Sequence, residues 1–231
     1  MIFNKIKFVT FTCVLRCAFD MKINEIFKSI QGETSYAGLP CAFIRITGCN
    51  LRCSYCDTTY AYEDGKEMSL STILECIAGF KTKIVCVTGG EPLSNKNTPL
   101  LIKELMNKNY TVLVETNGSY DIRTIPQEAI KIMDIKCPDS NMSHFMNWQN
   151  INYLTKSDEV KFVLSSRKDY DWTKAVIYKY NLSEVANILI GTVFGAISPK
   201  TVVQWILEDN LDVRFQLQLH KYIWEPHTRG V

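Results

Sequence analysis

Seven short runs of β-branched and apolar residues recur along this chain, at 41–47, 84–88, 111–115, 131–136, 160–164, 186–191 and 213–217. Each reads as a strand, and several are separated by segments with helical spacing. Leu70, Ile73, Leu74 and Ile77 follow the i, i+3, i+4, i+7 rule of an amphipathic helix. In "NTPLLIKELMNKN" Thr98 reads as an N-cap with Pro99 at the first helical position, and Leu101 and Leu105 share a face. "ISPKTVVQWILEDN" repeats the device with Ser198 and Pro199, ahead of Val202, Val203, Ile206 and Leu207. Near-continuous apolar strands between amphipathic helices predict an α/β fold, a parallel sheet covered by helices. The length is short for a complete eight-fold barrel, so the expectation is an abridged, partial (open) TIM-like β/α barrel. In such folds the functional residues collect on loops at the C-terminal ends of the strands.

The chain has 231 residues, 46% of them hydrophobic, enough for one large domain with a full core. No repeat or linker divides it, so residues 21–231 are expected to form a single domain. Residues 1–20 read as an N-terminal extension ahead of Met21: Arg16 breaks the apolar stretch a signal peptide would need, and no small-residue cleavage site follows. Cys13 and Cys17 repeat a C-x3-C spacing there, which on its own reads as chance. The net charge is +2 without a basic run, so nucleic acid is not an expected partner. No apolar run is long enough to span a bilayer. Nine cysteines in a core-rich chain suggest reduced thiols and a cytoplasmic location rather than a disulfide framework.

Three of those cysteines, Cys49, Cys53 and Cys56, stand together in "GCNLRCSYCDTTY", just after the first parallel-type strand. A structural zinc ion would normally take four protein ligands, and no fourth comes at finger-like spacing. A C-x2-C redox pair would leave Cys49 unexplained. An iron–sulfur cluster can use three thiolates on three irons and leave a fourth iron open to a small molecule carrying an amine and a carboxylate. Further polar motifs follow at successive strand ends: "VTGGEPL" (87–93), "VETNGS" (114–119) and "MDIKCP" (133–138). Gly89 and Gly90 would let backbone approach a ligand closely, and Glu91 could accept hydrogen bonds from an ammonium. Parallel topology would gather these ends around one pocket. Arg45 is a cation inside an otherwise apolar strand, and its planar fork can pair bidentately with a carboxylate. Cys41, Cys76, Cys86 and Cys137 lie in or near apolar runs and read as buried small hydrophobes, Cys137 being a candidate stray ligand beside Lys136. Residues 138–159 read as an irregular, variable loop.

C-x3-C-x2-C with Tyr55 before the last cysteine resembles the radical S-adenosylmethionine superfamily. The resemblance implies a [4Fe–4S] cluster on Cys49, Cys53 and Cys56. It also implies S-adenosylmethionine bound through Tyr55, Cys56, Asp57, Gly90, Glu91, Thr116, Asn117, Asp134, Ile135 and Lys136. "SIQGE", "FIRITGC", "YCDT", "TGGEP", "ETNG", "DIKCP" and "LQLHKYIW" are similar to the 7-carboxy-7-deazaguanine synthase family of the queuosine and deazapurine pathway, from about Lys22 to Val231. Some members have a long insertion between the first two cluster cysteines; this chain keeps the short spacing. That similarity implies a lyase that contracts the ring of 6-carboxy-5,6,7,8-tetrahydropterin with loss of ammonia. The implied substrate contacts are Ile30, Gln31, Gly32, Glu33, Arg45, Thr88, His220 and Val231. Mg²⁺ would sit at Thr58, with Asp57 as a rival ligand. A homodimer and a flavodoxin-like reductant are also implied. The alternatives are a glycyl-radical-enzyme activating protein, which would need a groove for a polypeptide, and a non-catalytic zinc or iron–sulfur binding module, which would not need the other strand-end motifs.

Overall fold

The computed structural model describes residues 20–231. The N-terminal extension, with Cys13 and Cys17, lies outside the described residues except for Asp20. In chain order the elements are β1 (Asp20–Ile30), β2 (Pro40–Ile46), β3 (Lys66–Ser69), α1 (Leu70–Gly79), β4 (Ile84–Gly89), α2 (Thr98–Asn107), β5 (Thr111–Thr116), β6 (Ile130–Asp134), β7 (Glu159–Leu164), α3 (Arg167–Lys179), α4 (Leu182–Val185), β8 (Asn187–Thr192), α5 (Pro199–Glu208), β9 (Arg214–Phe215) and α6 (His220–Ile223).

All seven strand-like runs are strands, and they lie parallel to one another in the order β2–β4–β5–β6–β7–β8–β9. Two strands that the pattern did not reveal, β1 and β3, add an antiparallel edge to complete a nine-stranded open sheet. The alternation in β1 is broken by a register shift between Ile23 and Glu25, which hides its period of two. The same shift sets Glu25 directly opposite Arg45.

Helix α1 begins where the spacing puts it, with Ser69 accepting a hydrogen bond from Thr72 N at 3.2 Å. At α2 the cap is displaced by one residue. Asn97 precedes the helix, while Thr98 lies buried in its first turn and donates its hydroxyl proton to Pro92 O at 2.5 Å. Ser198 does precede α5, but its side chain makes no capping bond there. Cys76, expected inside, is exposed on α1; Cys41, Cys86 and Cys137 are buried. Residues 138–159 are packed rather than irregular. They form three short 3-10 turns, with Met146, Ile151 and Leu154 buried and Trp148 stacked on Tyr180 at 4.7 Å. These turns replace the crossover helix between β6 and β7, and a 3-10 turn replaces the one between β5 and β6, so the barrel is abridged.

The sheet has two differently filled faces. The outer one, with Ile44, Val85, Val87, Val112 and Val114, packs against the helices in the main core. The inner one carries Cys41, Phe43, Cys86, Leu113 and Ile132 in a smaller cluster that includes Phe27. Phe27 stacks on Phe43 at 4.8 Å. Each such buried side chain contributes roughly 1.5–3 kcal/mol.

Candidate active site

Strand alternation sends every second residue to the inner face, so the residues two positions beyond the inner cluster also point inward. They are Arg45, Thr88, Glu115 and Asp134, joined by Lys161 from β7. Together they line two adjoining chambers whose shared wall is Arg45, Thr58, Thr88, Glu115 and Lys161.

The first chamber is a cleft partly open to solvent. Ile30, Gln31, Gly32 and Glu33 line it from the end of β1, with His220 and Val231 from the C-terminal segment and Phe27 and Phe43 beneath. Gln31 donates to Glu115 Oε1 at 3.4 Å, and Thr88 donates its hydroxyl proton to Glu115 Oε2 at 3.2 Å. Glu33 is already partnered: Lys161 Nζ lies 2.7 Å from one oxygen, and Gln218 donates to the other at 2.7 Å. Burial would raise the Glu33 carboxyl, but Lys161, Gln218 and His220 together hold it below the ordinary range. A Cβ at Gly32 would run into the His220 ring, so only glycine lets the two segments meet. Burial, partly opposed by Glu33, lowers His220 and favours its neutral form. Arg45 donates Nε to Glu25 at 2.7 Å, and its terminal nitrogens make no hydrogen bond among the described residues.

The second chamber holds Cys49, Cys53, Gly90, Thr116, Asn117, Asp134 and Lys136. Gly48 turns the cysteine loop with φ +105°. The two glycines of "TGGEP" serve a purpose the motif did not show. A Cβ at Gly89 would strike the Ile46 backbone, and one at Gly90 would strike Gly48 O and the Cys49 side chain. Gly90 N donates to Ile46 O at 3.1 Å and Glu91 N to Gly48 O at 2.7 Å, so this turn clamps the cysteine loop. The Glu91 side chain does not line the chamber. It is fully buried and accepts from Leu93 N (2.9 Å), the Thr116 hydroxyl (2.8 Å) and Asn117 N (2.6 Å). It therefore ties the strand-end loops together from behind. Burial pushes its carboxyl up to about 7.

Asp134 is flanked by Lys136 Nζ at 2.9 Å and Lys161 Nζ at 3.5 Å. Its other oxygen, Oδ1, is buried without a partner among the described residues. Tyr55 and Ile135 do not line the chamber. The Tyr55 hydroxyl donates to Val163 O at 3.4 Å, and the Ile135 side chain lies in the core. Asp57 faces the first chamber and pairs with Lys221 at 2.7 Å. Burial would raise it, but Lys221, the Thr58 hydroxyl and Lys161 together bring it down to about 2. Thr58, at the junction, donates its hydroxyl proton to Asp57 Oδ1 at 3.0 Å. Cys137 is buried against Thr173 at 3.5 Å, away from the cysteine loop's chamber, so it is no stray ligand.

The donor set fits a cluster better than a single ion. No three His, Cys, Asp or Glu side chains among the described residues converge on one metal position. A lone zinc would draw its sulfurs to within about 2.3 Å of one point. Thiols that each hold a different iron need no such convergence. The cleft beside them, with a partnerless Asp134 oxygen, Lys136, Asn117 and the Gly90 backbone, offers acceptors, donors and room for a polar cofactor.

Comparison with known proteins agrees. The model of the radical SAM superfamily matches residues 43–189, more than half of the chain. A 7-carboxy-7-deazaguanine synthase from Koribacter versatilis is 38% identical over 226 residues, covering 91% of this chain and all of that protein. Its namesake from Chlorobaculum tepidum is 42% identical over 214 residues, covering 91% and 97%. The chain belongs to the 7-carboxy-7-deazaguanine synthase family. A crystal structure of QueE from Escherichia coli superposes with a TM-score of 0.73 at 20% identity, over 87% of this chain and 95% of that one, and so shares the fold. As a member of the 7-carboxy-7-deazaguanine synthase family, the chain is a radical S-adenosylmethionine enzyme, and the superfamily implies a [4Fe–4S] cluster and S-adenosylmethionine as its cofactors. No described helix is long and apolar enough to cross a membrane.

Motif reading did not pick out Glu25, Glu115, Lys161, Gln218 or Lys221. Lys161 had a visible signal. It is a lone cation in the apolar run "VKFVL", the same argument that singled out Arg45. Glu115 shares strand parity with Leu113. Gln218 and Lys221 lie within "LQLHKYIW" beside His220, and Glu25 carries no local signal.

Proposed function

We propose that this chain converts 6-carboxy-5,6,7,8-tetrahydropterin to 7-carboxy-7-deazaguanine with loss of ammonia, in queuosine or deazapurine biosynthesis. The observation that carries this reading is the pair of contiguous chambers, one lined by Cys49 and Cys53 of the cysteine loop and one bordered by the C-terminal residues. When bound, the cluster and cofactor supply one-electron chemistry that yields a hydrogen-abstracting 5′-deoxyadenosyl radical. Cys49, Cys53 and Cys56 would hold the cluster; Gly90, Thr116, Asn117, Asp134 and Lys136 would hold the cofactor.

The rest falls to the residues of the first chamber. The free end of the Arg45 fork suits the substrate carboxylate. Gln31 and Glu33 offer an amide and a carboxylate to the guanidine-like edge of the pterin, with Lys161 and Gln218 fixing the orientation of Glu33. Phe27 and Phe43 provide an apolar floor. Neutral His220 and Val231 border the chamber from the C-terminal segment and limit water. Thr58 would contribute one oxygen to Mg²⁺, with substrate oxygens and water completing six ligands. A homodimer and a flavodoxin-like electron donor follow from the family resemblance.

A glycyl-radical-enzyme activating protein would need an open groove for a polypeptide, whereas residues 226–231 line the first chamber here. The test is anaerobic reconstitution with iron and sulfide, followed by incubation with S-adenosylmethionine, a reductant and the carboxytetrahydropterin. Mass spectrometry should detect 7-carboxy-7-deazaguanine. Formation of 5′-deoxyadenosine without that product would refute the substrate assignment.

A further inference from the structure

Arg45 is held by more than its strand. The register shift in β1 sets Glu25 opposite Arg45, and Glu25 Oε1 accepts Arg45 Nε at 2.7 Å. The same oxygen accepts a hydrogen bond from the Tyr60 hydroxyl at 3.2 Å. The Tyr60 ring in turn lies under Arg229, whose guanidinium carbon is 3.9 Å from the ring centroid. One continuous chain of contacts therefore runs from the C-terminal segment to the candidate carboxylate grip.

Both ends of this chain are set up for that task. Tyr60 sits on the 3-10 turn Thr59–Ala61 directly after the cysteine loop, where Gly48 N donates to Ala61 O at 2.9 Å and Asn24 Nδ2 to Tyr60 O at 3.2 Å. The ring is thus a fixed platform. Arg229 lines the first chamber and also the outer cleft beside Glu25, so it forms part of the wall between them. Gly230 follows with φ +73°, a turn that brings Val231 back to the chamber. Because Glu25 takes the Nε edge of Arg45, the end of the fork is left to face a ligand.

We propose that Tyr60 is a positioning residue that latches the C-terminal segment to the Arg45–Glu25 pair, so that closing the chamber and aligning the carboxylate grip occur together. This rests on the substrate reading above, in which Arg45 meets the pterin carboxylate. The latch makes selectivity for a 6-carboxylated pterin depend on Arg229, whose guanidinium lies over the Tyr60 ring.

The test measures binding of two probes, 6-carboxy-5,6,7,8-tetrahydropterin and tetrahydropterin lacking the carboxylate, to full-length reconstituted protein. Wild-type protein should prefer the carboxylated probe. Tyr60→Phe keeps the ring but breaks the bond to Glu25; Arg229→Gln keeps the segment but removes the cation from the ring. Each should lower the preference about fivefold, chiefly by weakening the carboxylated probe. Arg229→Lys should restore most of it, since a cation over the ring is regained. Because both changes cut the same chain, the double variant should lose little more than the worse single one. In turnover the loss should fall on KM more than on kcat. A merely structural role would weaken both probes equally, and that result would overturn the latch, as would single effects that multiply in the double variant. Wild-type protein that binds both probes equally would instead overturn the substrate reading, and the latch with it.

Discussion

The N-terminal halves of the central strands present Phe43, Cys86, Leu113 and Ile132 to the inner face, and two residues further along the same strands present Arg45, Thr88, Glu115 and Asp134. Backbone, register and direction are the same; only the side chains change. The lower layer is an apolar floor. The upper layer is a polar site in which Arg45 pairs with Glu25, Lys161 with Glu33 and Asp134, and Lys136 with Asp134, while Glu115 accepts hydrogen bonds from Gln31 and Thr88. One step of strand periodicity separates stability from chemistry. The floor can be dry because the polar groups above it satisfy one another.

The largest effect is expected from Lys161→Met. It strips a counterion from Glu33 and Asp134, whose side chains are 11% and 17% exposed. Breaking a buried pair from one side costs about 3–5 kcal/mol, measurable as a drop in the urea midpoint together with loss of turnover. Lys161→Arg should retain most of the stability. In the floor, Leu113→Ala removes a fully buried side chain and should cost about 3 kcal/mol by urea unfolding, with pterin affinity kept. If Leu113→Ala lowered affinity as much as Lys161→Met, the two layers would not be separable.

At the loops, Gly90→Ala separates folding from cluster assembly. Its Cβ would strike Gly48 O and Cys49, so the cysteine loop must shift at a cost of about 1–3 kcal/mol. The expected result is a folded protein with sub-stoichiometric iron, read by visible absorption and iron analysis. The smallest effect is a pH dependence. The native state depresses His220, so its contribution is complete above the unfolded value near 6.5 and is lost as pH falls through the lower native value. The stability difference between wild type and His220→Gln should therefore shift against the wild type on acidification below about 6.5, whatever the buried Glu91 adds to both proteins.

Much of this architecture was legible because near-continuous β-branched apolar runs and Pro-led helices are local signals. The parallel strands, the open α/β barrel and the strand-end location of the motifs all follow from them. What escaped depends on long-range geometry. The register shift hid β1, although "KINEIF" holds the residue that meets Arg45. Cys76 was assigned to the interior from the apolar company it keeps in sequence, but on α1 it falls on the solvent side. The motif "GGEP" marked the right place while concealing that its glycines pack against the cysteine loop and its glutamate binds three donors from within the protein. Lys161 was readable by the rule used for Arg45, but its partners, 128 residues away at Glu33 and at Asp134, were not.

The account stands on radical chemistry beside the cysteines reaching a substrate held in the neighbouring chamber. Its most direct test is anaerobic turnover with the carboxytetrahydropterin deuterated at the carbon bearing the carboxylate, followed by mass analysis of the recovered 5′-deoxyadenosine and S-adenosylmethionine. Deuterium in the adenosyl group is the predicted result. Continued formation of 5′-deoxyadenosine that carries no deuterium would contradict it.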